Sequence, residues 1–258
     1  MKERYGPWVL VTGASSGIGR EFARRLAAQG LNVVVVARRA DALEELARQI
    51  RAPVQCRVIA MDLSEPGAAA RLAEAVADLE IGLLVANAGT GWIGRFDLQA
   101  PEFHSRLIRL HCELTVELTA RLVPAMRERG RGGIVVVSSA GAFLPLPYYA
   151  VYGGTKALLQ NWGEAIAAEL KGTGVDVLVV SPGDTRTGFQ DVAGEMSTRW
   201  SSVEDVVGEA LAGLGKKTVV VPGLENRLGL LAARLLPRSM VMSMIEKRQR
   251  AQTPRDRR

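Results

Sequence analysis

Four consecutive valines, Val33 to Val36, lie inside an apolar run over residues 31–37. A strand with one wet face alternates apolar and polar residues. A strand with no polar position needs cover on both faces, so it belongs in a parallel sheet between two layers of helices. Short apolar runs recur over residues 8–11, 54–61, 82–86, 133–137, 175–180 and 218–221. Helix-like periodic segments separate them, over 17–29 (closed by Gly30), 42–50, 66–79, 101–129 and 152–171. Asp41-x-x-Glu44 reads as a capping box for the second of these, and Ser202-x-x-Asp205 as the cap of a short later helix. The alternation predicts a single α/β domain over 1–223, an open doubly wound sheet of about seven parallel strands. Residues 224–258 read as a C-terminal extension.

The chain has 258 residues, of which 48% are hydrophobic and 23% charged, enough apolar material for a large core without disulfides or a metal. Cys56 and Cys112 lie apart in apolar runs without metal-like spacing. They read as structural thiols, and no metal is expected. The opening Met-Lys-Glu-Arg-Tyr-Gly-Pro has no apolar signal region, and no run is long enough to span a membrane, so a cytoplasmic location is expected. The net charge of +6 resides entirely in the extension, which holds nine basic and three acidic residues. The body carries 24 of each, which gives no reason to expect a nucleic-acid partner.

The first strand passes into the first helix through Thr12-Gly13-Ala14-Ser15-Ser16-Gly17-Ile18-Gly19. Glycines there let the backbone turn sharply and approach a pyrophosphate seated at a helix N-terminus. The second strand ends at Ala37-Arg38-Arg39, where an NAD site would carry an acid. Two arginines suit the 2′-phosphate of NADP(H).

Tyr152 and Lys156, four apart, share one face of a helix. An ammonium near a phenol favours the phenolate and draws its pKa toward neutrality, so the pair suits general acid/base work. Ser138-Ser139 ends the fifth strand and Asn87-Ala88-Gly89 the fourth, both on the edge where such sheets bind ligands.

With these pieces in order, the chain resembles the short-chain dehydrogenase/reductase family over residues 8–222. The pieces are TGASSGIG at 12–19, Asp62, the Asn-Ala-Gly at 87–89, the serine and Y-x-x-x-K block, and Pro182-Gly183 followed by Thr187. The resemblance implies a Rossmann-like fold and hydride transfer between a nicotinamide and a carbonyl or alcohol carbon. It implies that Ser139 orients substrate, Tyr152 is the acid/base, and Lys156 lowers the tyrosine's pKa and holds the nicotinamide ribose. Gly13, Ser15, Ser16, Gly17, Ile18 and Gly19 would cradle the pyrophosphate, Arg38 and Arg39 the 2′-phosphate. Asp62 would contact the adenine, Asn87 the adenosine ribose region, and Thr185 and Thr187 the carboxamide, with Pro182 and Gly183 also binding the cofactor. Members of the family commonly form dimers or tetramers, so a homo-oligomer is expected.

One departure stands out. Where the family usually carries a catalytic asparagine, this chain has His111. The position's backbone role survives the change, the imidazole joins a proton relay, or catalysis is lost. His104, at the start of the same helix, reads as a surface residue.

Residues 140–151, from the serine to the tyrosine, carry no charge, which suits a hydrophobic carbonyl substrate. Residues 188–200 read as a lid. A 3-ketoacyl reductase of fatty chains would need cations at the mouth, for which Arg95, Arg186 and Arg199 are candidates; a nicotinamide-binding regulatory protein is the non-enzymatic alternative. In the extension, Leu228, Leu231 and Leu235 share a helical face, Arg227 and Arg234 another, and Pro237 should end the helix. The extension would lie on an anionic membrane, cover the crevice or join subunits, with residues from Gln249 onward frayed.

Overall fold

The computed structural model describes residues 1–50, 53–187, 193 and 201–257. Seven strands form one parallel sheet in the order β3-β2-β1-β4-β5-β6-β7. They are β1 (Trp8–Thr12), β2 (Asn32–Ala37), β3 (Cys56–Ala60), β4 (Ile81–Ala86), β5 (Gly132–Val137), β6 (Val175–Val180) and β7 (Val219–Val220). The valine run splits its burial between the two faces, as pleating requires. Val33 and Val35 pack with Phe22, Leu26, Leu43 and Leu46 on one side. Val34 and Val36 pack with Leu72, Leu118 and Met126 on the other.

The first-face helices are α1 (Gly17–Ala28), α2 (Ala40–Gln49) and a later helix, introduced below as α7. On the second face lie α3 (Ala68–Ala75), α4 (Pro101–Ile108), α5 (Leu114–Glu128) and α6 (Ala150–Glu169). A single π-turn, Arg109–Glu113, joins α4 to α5 inside the stretch expected as one long helix. After β6 come α7 (Val203–Gly213), then β7, α8 (Leu224–Leu235) and α9 (Arg238–Gln252).

Two local expectations need correction. Asp41 is not an N-cap: α2 begins at Ala40 with Arg39 as its flanking residue and no side-chain cap, which leaves Asp41 inside the first turn. There a carboxylate still complements the helix dipole. The third helix is shorter than 66–79, because Gly67 takes a left-handed conformation (φ 70°) and delays its start to Ala68. The Ser202 cap does form, its side chain accepting from the Asp205 N–H at 3.0 Å.

Strand order reverses about β1, with β2 and its successor β3 on one side and β4 to β7 on the other. At such a point the helices following adjacent strands diverge to opposite faces and leave a crevice at the strands' C-terminal ends.

Candidate active site

The glycine turn forms one wall of that crevice. Gly13 (φ 68°) and Gly17 (φ 54°) hold conformations that side-chain-bearing residues rarely adopt. A Cβ at Gly19 would fall 2.4 Å from both the Asn87 amide nitrogen and the Gly13 oxygen. Asn87 braces the turn by donating to the carbonyls of Thr12 (2.9 Å) and Gly13 (3.2 Å). Thr12 Oγ1 accepts the backbone N–H groups of Asn87 and Ala88, each at 3.0 Å. This bracing role was not legible in the sequence, because it depends on two strand ends 75 residues apart becoming neighbours.

Ser15, Ser16, Gly17 and Ile18 line the crevice with Arg38, Arg39, Asp62 and Asn87. Arg39 reaches back to the Ser15 hydroxyl (3.3 Å). Asp62 accepts from the amide and hydroxyl of Ser64 (2.9 and 2.6 Å) and from Arg106 (3.0 Å). Partial burial pushes the Asp62 carboxyl up, but the Ser64 bonds and the nearby Arg106 and Arg38 outweigh it and hold the group below its usual range. A narrow glycine cradle, a helix N-terminus and two arginines beside the next strand end fit a dinucleotide with an anionic ribose substituent.

Further along, Ser139 follows β5 and its hydroxyl accepts from the Gly141 N–H at 3.0 Å. Tyr152 lies in the first turn of α6 and Lys156 one turn on; both line the same crevice as Ser139. Tyr149 stacks on the Tyr152 ring (centroids 4.3 Å apart, 12° between planes), and the His111 ring meets it edge-on at 5.8 Å. The Lys156 ammonium sits 5.7 Å from the Tyr152 ring centre and donates to the Val137 carbonyl at 2.8 Å. Its burial lowers the Lys156 pKa to about 8. Ser138, buried at the same strand end, donates to the Lys156 carbonyl at 2.8 Å, tying β5 to α6.

His111 is wholly buried in the π-turn. Its Nε2 accepts the Thr90 N–H at 3.0 Å and its Nδ1 lies 2.8 Å from Thr155 Oγ1. Burial, with the Lys156 charge added, holds its pKa well below the ordinary histidine value. His104, by contrast, is half-buried and stacks on Phe96 at 4.7 Å.

On the opposite rim, Pro182, Gly183, Thr185 and Thr187 line the crevice, with the Thr185 hydroxyl donating to the Gly183 carbonyl at 2.9 Å. A Cβ on Gly17 would meet the Thr187 methyl at 2.7 Å, so Thr187 packs directly against the glycine turn.

The extension completes the enclosure. Leu230, Ala233 and Leu236 of the first tail helix and its end, and Val241, Met244 and Ile245 of α9, face the crevice. Pro237 separates the two helices as expected. Arg248 pairs with Asp184 at 2.8 Å. The described residues beyond Gln249, 250–257, are not frayed. Thr253 is fully buried, the Arg95 N–H donates to the Arg257 carbonyl at 2.8 Å, and the Arg257 guanidinium lies over the Trp92 ring. These polar residues are ordered because their backbone extends over the 92–95 segment, which composition alone does not reveal. Leu228, Leu231 and Leu235 of α8 remain exposed and do not line the crevice.

Of the cations considered for the mouth, Arg95 pairs with Asp97 (2.6 Å), and neither Arg95 nor Arg186 lines the crevice. Arg199 and the expected lid, apart from the buried Ala193, lie outside the described residues. Among the described residues no group of side chains forms a metal site, and no helix is long and apolar enough to cross a membrane.

A sequence profile of short chain dehydrogenases matches residues 7–198. The chain belongs to the short-chain dehydrogenase/reductase family. Within that family it is 37% identical over 182 residues to a very-long-chain 3-oxoacyl-CoA reductase of Pyricularia oryzae, a match covering 68% of this chain and 55% of the reductase. The chain thus spans about half the length of such fungal relatives. It is 33% identical over 232 residues to a 7β-hydroxysteroid dehydrogenase of Clostridium sardiniense, covering 88% of this chain and 89% of that one. Among solved structures, a short-chain dehydrogenase from Sphingobium yanoikuyae in complex with NADPH superposes with a TM-score of 0.81 at 33% identity, covering 92% of this chain and 96% of the other. The seven-stranded parallel sheet is the Rossmann-like fold of that family.

Proposed function

We propose that this dehydrogenase uses NADP(H) to interconvert a bulky hydrophobic ketone and its alcohol, with Tyr152 as the general acid/base. The observation that carries the proposal is the placement of Tyr152 and Lys156. They stand one helical turn apart, with a buried ammonium 5.7 Å from the phenol ring, in a crevice with a glycine cradle at one end and an apolar wall at the other.

The glycine turn and Arg38 and Arg39 would hold the dinucleotide, and bound NADPH supplies the hydride. Ser139 donates a hydrogen bond to the substrate carbonyl oxygen and fixes its direction. Tyr152 gives its phenolic proton to that oxygen as the carbon becomes tetrahedral. The Lys156 ammonium stabilises the phenolate left behind, by the ordinary attraction of opposite charges in a site of low dielectric. In the reverse direction the phenolate takes the hydroxyl proton. Leu144, Leu146, Leu230, Leu236, Met244 and Ile245 keep water from the reacting carbon and favour an apolar substrate.

Two substrate classes enter from the relatives. A compact polycyclic ketone is favoured, since the hydroxysteroid relative matches nearly end to end and the tail closes the crevice with apolar side chains. A coenzyme-linked acyl chain is the second reading, weakened by the absence of Arg95 and Arg186 from the crevice wall. NADPH oxidation over a panel of oxo-steroids, bulky aryl ketones and 3-oxoacyl-CoA of graded length tests the proposal. Turnover confined to the acyl thioesters would reverse the preference, and no turnover of any member would remove the enzymatic reading.

A further inference from the structure

The imidazole of His111 has both nitrogens engaged. Nε2 accepts a backbone N–H from Thr90, so it carries no proton. A neutral ring must then hold its proton on Nδ1, which donates to Thr155 Oγ1 at 2.8 Å. That hydroxyl in turn donates to the Tyr152 carbonyl at 2.7 Å. Each group in the chain from Thr90 to Tyr152 therefore has one defined direction of donation. A second proton on Nε2 would face the Thr90 N–H directly and break the bond that holds the ring.

The neighbours agree with this assignment. Lys156 and Tyr152 face the ring from α6, and Cys112 lies beside it in the π-turn. The one cation among them opposes protonation of the imidazole. Gly89 leaves room for the ring: a Cβ there would come within 3.1 Å of Nε2. The π-turn supplies the rest, since an extra residue in a helical turn re-aims the side chains it carries.

We propose that His111 is a positioning residue, a neutral strut that fixes the first turn of the Tyr152 helix against the Asn87–Thr90 segment, and not a member of a proton relay. The proposal rests on the reading of Tyr152 as the acid/base. The strut continues a line of bonds from the glycine turn. Asn87 holds Thr12 and Gly13, and three residues later Thr90 holds His111, which holds Thr155 and through it the Tyr152 backbone. The distance between the glycine turn and the first turn of the Tyr152 helix is thereby set by hydrogen bonds of fixed direction.

Glutamine separates the two roles, because its amide offers one acceptor and one donor but does not titrate. His111→Leu is expected to lower kcat with NADPH and an oxo-steroid by about 10- to 100-fold with little change in KM, the scale expected when a reacting group is displaced by about an ångström. His111→Gln should restore most of that loss with an unchanged pH profile. Thr155→Val should reproduce the leucine variant and Thr155→Ser should not, which keeps the test valid if a leucine at 111 disturbs folding. Amide exchange of the 87–92 and 150–156 segments provides a readout independent of turnover: faster in His111→Leu, restored in His111→Gln. A glutamine variant as impaired as the leucine one, or one that loses a limb of the pH profile, would overturn the proposal in favour of a relay. Full activity and unchanged exchange in His111→Leu would overturn it as well. Absence of turnover in the unmodified protein would instead count against the Tyr152 reading, with the exchange data still deciding the strut.

Discussion

The Lys156 ammonium, on a side chain almost wholly buried, donates to the carbonyl of Val137 at 2.8 Å. The lysine thereby links α6 to the end of β5, from which Ser139 follows two residues on. Its charge is held where burial disfavours it, and this has consequences for pH.

Lysine titrates near 10.5 when unperturbed and near 8 in the folded chain. Between these values the unfolded chain holds the extra proton, so folding becomes more favourable as pH rises through the interval. The group's contribution to stability is complete above about pH 10.5 and lost as pH falls through about 8. Any stability advantage that Lys156→Met gains from removing the buried charge should therefore shrink between pH 8 and 10.5, as read by urea midpoints. Ketone reduction should fall in kcat/KM as pH climbs past about 8, because the ammonium is then lost. A reduction profile still flat well above that value would show that the charge of Lys156 is not needed.

For the cofactor, NADPH should bind more tightly than NADH, since Arg38 and Arg39 stand at the crevice edge beside the end of β2. Arg38→Asp should reverse the order, as a carboxylate repels a 2′-phosphate and accepts from a 2′-hydroxyl. Losing one charge-assisted contact of roughly 1.5–3 kcal/mol corresponds to about a ten- to hundredfold weaker NADPH complex. Fluorescence titration of both nucleotides against both proteins measures it. Equal affinities in the unmodified protein would contradict the assignment.

The C-terminal helices make a third prediction. Truncation after Gly223 removes the apolar wall formed by Leu230, Leu236, Met244 and Ile245 and the clamp of Arg257 on Trp92. The shortened chain should lose ketone reduction and bind a hydrophobic dye. The Arg248–Asp184 pair alone matters less. It is largely exposed at its arginine, so Arg248→Gln should cost about 1 kcal/mol or less in thermal unfolding. A truncated chain with full activity would show that the tail is not part of the substrate site.

Much of this was legible in the sequence because the signals were local. The valine run required cover on both faces, and the strand-turn-helix at Thr12–Gly19 and the Tyr152–Lys156 spacing each carry their chemistry within a few residues. What escaped depends on groups distant in sequence. The bracing of Gly13 by Asn87 and the holding of Arg257 by the 92–95 segment arise only when the sheet assembles. The tail misled for a related reason. Its polar, arginine-rich end reads as frayed by composition, but its order comes from backbone bonds and a ring contact that composition does not encode. The bonding of His111 was hidden too, since the tautomer follows from two partners on separate elements.

The central claim is that Tyr152 moves the proton. It is tested most directly by comparing the unmodified protein with Tyr152→Phe, using NADPH oxidation in the presence of an oxo-steroid and NADPH binding by fluorescence in parallel. The phenylalanine keeps the ring stacked against Tyr149 and removes only the hydroxyl. Turnover should fall by about 10²- to 10⁴-fold, the range expected for loss of a positioned general acid, while NADPH affinity stays nearly unchanged. A Tyr152→Phe protein that reduces the ketone at a rate comparable to the unmodified one would contradict the account.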